Sequence, residues 1–281
     1  MLDILKDTVL DILKLTPFLF IAFLIIELIE HKLSKTTTNI IKKSGRFGPL
    51  IGSALGLLPQ CGFSVLATNL YVTRILSIGS LVAIYLSTSD EMLPILITEK
   101  APIKSILIIL LIKFIVGLIV GFLIDFILRK KENKADKHIH SLCEHDHCHC
   151  EDGILKSSII HTLKTLLFIA LVTFVLNTVM YYIGEDYLAN ILSKNTFLTP
   201  FISSLIGLIP NCGASIVITE LYLNNIINLG TAMAGLLTGS GVGILVLFKS
   251  NKNLKENLTI TGIIYSVGVV IGLLIELISI F

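Results

Sequence analysis

The sequence predicts an all-α polytopic membrane protein built from two inverted-topology repeats, with re-entrant or broken helices meeting at the membrane midplane. Three observations predict it. Of 281 residues, 54% are hydrophobic and 15% charged, against about 25% charged in soluble domains. Sliding the chain on itself sets Pro49 on Pro200, and that offset of 151 holds without a gap to Asp125 and Glu276. One motif stands in both halves: Gly56-Leu57-Leu58-Pro59-Gln60-Cys61-Gly62-Phe63-Ser64 recurs as Gly207-Leu208-Ile209-Pro210-Asn211-Cys212-Gly213-Ala214-Ser215.

The identities continue through Thr68 and Thr219, Tyr71 and Tyr222, Gly79 and Gly230, and Ser89 and Ser240. Ahead of the motif an offset of 150 sets Ile4-Leu5-Lys6 on Ile154-Leu155-Lys156, so one residue was gained or lost there. The repeats therefore occupy residues 1–128 and 154–281, joined by a polar His/Cys-rich linker at 129–153. Internal self-similarity of this kind marks a duplicated structural unit.

Each copy holds four apolar segments, near 8–30, 47–73, 76–98 and 102–128, then 158–182, 198–224, 227–248 and 258–280. A helical span needs about 20 apolar residues. The first and fourth of each set read as plain spans. In the second, Pro removes a backbone donor and Gly loosens the chain, so a break is expected at Pro59-Gln60-Cys61-Gly62. Each half is about ten residues, roughly half the hydrocarbon thickness, which predicts a re-entrant segment. The third crosses once, interrupted at Ser87-Thr88-Ser89-Asp90-Glu91, with the opposite assignment of the second and third segments as the alternative. The fourth carries Gly117-x-x-x-Gly121, matched by Gly268-x-x-x-Gly272, a spacing for close helix packing.

Loop charge predicts orientation. Lys32, Lys35, Lys42, Lys43 and Arg46 follow the first span without an acid, whereas Glu185 and Asp186 stand in the equivalent loop with only Lys194. Lysine- and arginine-rich loops stay cytoplasmic. The two copies are thus expected to face opposite ways, with the linker cytoplasmic and both termini outside. Broken helices at mid-membrane are tolerated only where they line a cavity or lie within protein. Inverted repeats place substrate sites at their interface.

The candidate transport site gathers at these breaks. Asp90 and Glu91 are an acidic pair between apolar stretches, and a charge at the bilayer centre costs about 2.5–3.5 kcal/mol, so it faces a cavity or a partner. Their counterparts are Gly241 and Val242, which suggests a single asymmetric cation site; solvated interfacial charges are the competing reading. Cys61 and Cys212 are soft metal ligands in one reading and inert small apolar residues in the other. Gln60, Asn211, Ser64, Ser215, Ser89 and Ser240 offer oxygens at the same depth. Asn69 and Glu220 are equivalent positions beyond the tips, and Glu220 lies in an apolar run. Glu27, Asp125 and Glu276 read as charges at span boundaries.

The linker concentrates His138, His140, Cys143, His145, Asp146, His147, Cys148, His149 and Cys150. Dense His/Cys tracts bind divalent Zn, Ni or Cu, though this spacing does not define one tetrahedral site. No nucleotide-binding motif is present, so transport would be driven by an ion gradient or the membrane potential. Nothing points to an enzyme, a resident cofactor or nucleic acid.

With the doubled Pro-Gln/Asn-Cys-Gly tips, the Ser-Thr-Ser-Asp-Glu break and the His/Cys linker in view, the chain resembles the ten-span heavy-metal exporters of bacteria. Members are known variously as arsenic efflux proteins or manganese transporters. Counting each re-entrant arm as a span gives ten. The resemblance implies export of a heavy metal or metalloid across the bacterial inner membrane. Carboxylate and amide oxygens favour a divalent cation, Mn²⁺ or Fe²⁺ ahead of Zn²⁺, with H⁺ as the expected coupling ion and a homo-oligomer compatible with the sequence. The alternatives are arsenite or organoarsenical efflux through Cys61 and Cys212, a membrane thiol redox protein using the same pair, and a metal-sensing scaffold centred on the linker.

Overall fold

A computed structural model describes residues 47–58, 61–73, 75–89, 91–129, 154–183 and 197–280, with Leu192 and scattered helical positions between 9 and 24. All regular structure among the described residues is helical. The first copy contains α1 (Gly48–Gly56), α2 (Cys61–Val72), α3 (Ile78–Ser87), α4 (Met92–Thr98) and α5 (Ile103–Arg129). A helix α6 (Ile154–Ile183) follows, and then the second set: α7 (Thr199–Gly207), α8 (Cys212–Leu223), α9 (Leu229–Thr238), α10 (Gly243–Ser250) and α11 (Leu254–Ile280). Every helix from α7 to α11 starts 151 residues after its counterpart in α1 to α5, as the sequence slide predicts.

Five segments are long and apolar enough to cross a membrane: 78–98, 103–128, 158–179, 229–250 and 254–278. Their burial sorts them into two layers. The broken pair α9–α10 is 83% buried over its span window, whereas α5 and α11 are each 28% buried. The outer helices present rows of exposed apolar side chains, among them Leu107, Leu111, Ile115, Ile119 and Phe126 on α5. An apolar face that stays bare in the folded protein is what a lipid-facing helix needs. The interrupted helices form the centre.

Glycines set the packing within each copy. A Cβ on Gly52 would stand 3.0 Å from the Ser80 carbonyl oxygen, and one on Gly56 2.8 Å from that of Ile84, so α1 lies alongside α3 in the same direction. On the other side α5 runs antiparallel to α3. Gly117 faces the Ala83 carbonyl and Gly121 that of Gly79, at 2.8 and 2.7 Å from a Cβ. The second copy repeats this, with Gly268 against Ala234 and Gly272 against Gly230. The glycine pairs thus act in packing alone, as their spacing predicts.

Asp125 and Glu276, expected as boundary charges, do more than that. Asp125 accepts hydrogen bonds from the Ser77 hydroxyl (2.7 Å) and the Gly79 amide (3.0 Å), closing the N-terminus of α3. Glu276, 4% exposed, accepts from the Asn228 amide (2.9 Å) and the Thr231 hydroxyl (3.4 Å) at the start of α9. Free N–H groups and the positive dipole end of a helix favour such a carboxylate. The sequence spacing of 45 to 48 residues hides the contacts.

The two sets also interlock. Helix α2 packs along α10, and α8 along α4. At the far end of α2 the Tyr71 hydroxyl donates to Glu256, in the first turn of α11.

Candidate functional site

The polar interior lies where α3 gives way to α4 and α9 to α10. Helix α3 stops because Thr88 leaves helical geometry (φ −54°, ψ 129°), and two side chains take over its last carbonyls. The Ser87 hydroxyl donates to Ala83 O at 2.8 Å and that of Thr88 to Ile84 O at 2.7 Å. Ser and Thr hydroxyls commonly satisfy the carbonyl four residues back in this way. The Ser89 amide then donates 3.2 Å to Gly56 O, tying the end of α1 to the break. Ser87, Thr88 and Ser89 are all buried.

In the second copy the break is made by glycine. Gly239 ends α9, and Gly241 adopts φ 56°, a left-handed conformation that glycine takes without steric cost. The Thr238 hydroxyl donates 2.9 Å to Ser204 O, binding the end of α9 to α7. Pro210 interrupts the tip before α8, and the Asn211 side chain accepts the Gly213 amide at 3.3 Å as an N-cap. The Asn211 amide also donates 2.6 Å to Asn177 on α6.

Contacts across the repeats gather at the same level. The Thr68 hydroxyl of α2 bonds the Ser64 carbonyl at 2.6 Å, pairs with the Tyr85 hydroxyl at 2.5 Å and lies 3.2 Å from the Gly243 carbonyl of α10. A Cβ on Gly243 would stand 2.8 Å from Ser64 Cβ and 2.9 Å from the Tyr85 ring. Lys113 of α5 is 1% exposed, and its Nζ donates 2.5 Å to the Leu236 carbonyl in the last turn of α9. Four buried groups have no hydrogen-bond partner among the described residues, Asn69 Nδ2, Thr173 Oγ1, Ser203 Oγ and Ser240 Oγ, and of these Asn69 and Ser240 are positions singled out from the repeated motifs. Buried polar groups are normally satisfied, so such orphans ask for an explanation.

The structure places the expected residues unevenly. Ser64, Asn69, Ser89, Asn211 and Ser240 are buried at or beside the breaks. Ser215, Glu220 and Glu91 are half-buried, on α8 and at the start of α4. Cys61 and Cys212 each begin a helix, α2 and α8; their side chains lie outside the described set. Asp90 and Gln60 lie outside the described residues, as do Glu27 and the whole linker from His138 to Cys150. Among the described residues no three His, Cys, Asp or Glu side chains group as metal ligands.

Sequence reasoning passed over Lys113, Thr68 and Tyr85. Lys113 could have been found as the one charge between Lys104 and Asp125, matched by Ile264 in the other copy. Thr68 showed only as a repeat identity with Thr219, and Tyr85 carried no signal, since threonine and tyrosine in an apolar run look like packing.

Central broken helices with a buried polar seam, jacketed by long helices with bare apolar faces, define a polytopic membrane-embedded protein. The chain belongs to the family described as "Putative, 10TM heavy-metal exporter", whose profile matches residues 2–186 and 162–280. No curated protein matches it, and no solved structure does.

Proposed function

We propose that the protein is a secondary-active efflux transporter for a divalent transition-metal cation, Mn²⁺ or Fe²⁺ ahead of Zn²⁺, driven by an ion gradient with H⁺ as coupling ion. Its site lies between two inverted copies, residues 1–128 and 154–281. The carrying observation is the convergence of both helix breaks on one seam that holds unpartnered polar groups, Asn69 and Ser240. Broken helices of two repeats facing a common site are the architecture of secondary transporters.

The packing supports the inversion. Helix α2 ends five residues before α3 begins, so the two share an end of the bundle. Helix α10 leads away from the start of α9, yet it packs along α2, and Tyr71 meets Glu256 just past it. The start of α9 therefore stands at the end opposite the start of α3. The parallel run of α1 along α3, with α2 leading back, supports a re-entrant α1–α2 and, by the repeat, α7–α8. Loop charge sets the linker and the Lys249–Lys255 end in the cytoplasm of a bacterial inner membrane, with the termini outside. The linker collects metal there.

Oxygen ligands from Ser89, Ser240, Asn69, Asp90, Glu91 and Glu220, with Gln60, Asn211, Ser64 and Ser215 close in sequence, suit a harder divalent ion. A second reading, arsenical efflux, is favoured by Cys61 and Cys212 each heading a helix, where a thiolate is stabilised. Proteoliposome flux of Mn²⁺, Fe²⁺, Zn²⁺ and arsenite separates them. Loss of Mn²⁺ flux in Asp90→Asn, with Cys61→Ser/Cys212→Ser still active, supports the cation. Arsenite flux lost only in the thiol variant overturns it.

A further inference from the structure

Lys113 lies ten residues into the 103–128 span, about 15 Å from its start at 1.5 Å per residue. It is therefore at mid-membrane depth, where a cation is expensive unless it is partnered. Its position along α5 continues the pairing of Gly121 with Gly79 and Gly117 with Ala83, which brings it level with Ser87 at the end of α3. The acceptor belongs to the other copy. Leu236 O is one of the last carbonyls of α9, a helix ending at Thr238, and the residues that would continue the helix turn away at Gly239. Such carbonyls lack intrahelical donors and carry the negative end of the helix dipole. That is a seat for a cation, and an ammonium fills it. Ile264 occupies the equivalent position on α11, so the device exists once.

We propose that Lys113 is a tethered cation: its ammonium fills the cation seat at the end of α9 when the transport site is empty and withdraws when a metal ion takes its place. The inference rests on the cation-transport reading. A carrier that returns empty would otherwise bury bare carbonyl oxygens and any site carboxylates at mid-membrane. A lysine on a flexible four-carbon stem supplies the missing charge without leaving the protein. It acts as a positioning and coupling group, not as a ligand for the metal. Lys113 thereby holds the two copies together in the empty state and lets them part in the loaded one.

The test separates net movement from exchange. Proteoliposomes containing wild type, Lys113→Met and Lys113→Arg are assayed for net Mn²⁺ efflux into metal-free buffer, and for exchange of radioactive Mn²⁺ against unlabelled Mn²⁺ on the far side. Exchange never requires an empty carrier to reorient. Lys113→Met is expected to lose net efflux about tenfold or more relative to exchange, the scale set by an unsatisfied buried acceptor. Lys113→Arg is expected to keep the wild-type ratio of the two. A parallel fall of both rates in Lys113→Met, or no change in their ratio, overturns the tethered cation and leaves Lys113 a packing residue. If Lys113→Met does not assemble, Lys113→Gln decides in the same assays: net efflux lost with exchange retained supports the proposal, and an unchanged ratio overturns it. Wild type that moves Mn²⁺ in neither assay overturns the transport reading itself, and the inference with it.

Discussion

Two buried hydroxyls at the seam stand in opposite situations. Thr68 bonds Ser64 O and Tyr85, whereas Ser240 has no partner among the described residues. Removing a satisfied buried hydroxyl strands its partners at about 1–3 kcal/mol, while removing an unsatisfied one costs nothing in stability. Thr68→Val is therefore expected to lower thermal stability in detergent, and Ser240→Ala to leave it unchanged or raise it. Metal flux should fall in Ser240→Ala despite its intact fold. A drop in melting temperature equal to that of Thr68→Val would mean that Ser240 serves packing. At this scale the sequence was legible only where chemistry was odd for its surroundings. Ser64, Ser89 and Ser240 were visible because they sit in the repeated motifs. The Thr68–Tyr85 pair was hidden because its geometry depends on Gly243, 175 residues away.

Helix interruption was the most legible property of the elements. Pro210 has no N–H, Asn211 caps the next helix, and the doubled motif announced both copies at once. Equal offsets of all five helix starts follow from that duplication. What stayed hidden was which helices touch, because α2 with α10 and α8 with α4 are pairings between copies. Close approach inside each copy makes a second prediction. Gly268→Ala sets a Cβ 2.8 Å from Ala234 O and should cost about 1–3 kcal/mol as an overpacked contact. Gly262, on the same helix, has nothing within 4 Å of a Cβ, so Gly262→Ala should stabilise by up to about 1 kcal/mol through helix propensity. Thermal unfolding of the two variants side by side checks this, and equal effects would refute the packing role of the glycine pair.

At the scale of the whole molecule the account depends on two copies running in opposite directions around one polar seam. The proposed inversion draws on loop charge in the sequence and on the Tyr71–Glu256 contact in the structure. If the copies ran the same way, the starts of α3 and α9 would share a face, and the seam would lose its pairing of α2 with α10. Single cysteines in a background free of the native five decide between these cases. A membrane-impermeant thiol reagent applied to sealed vesicles should label Ser77→Cys and Lys252→Cys from one face, and Asn225→Cys and Lys100→Cys from the other. Ser77→Cys and Asn225→Cys reacting from the same face would contradict the inverted arrangement and the transport site built on it.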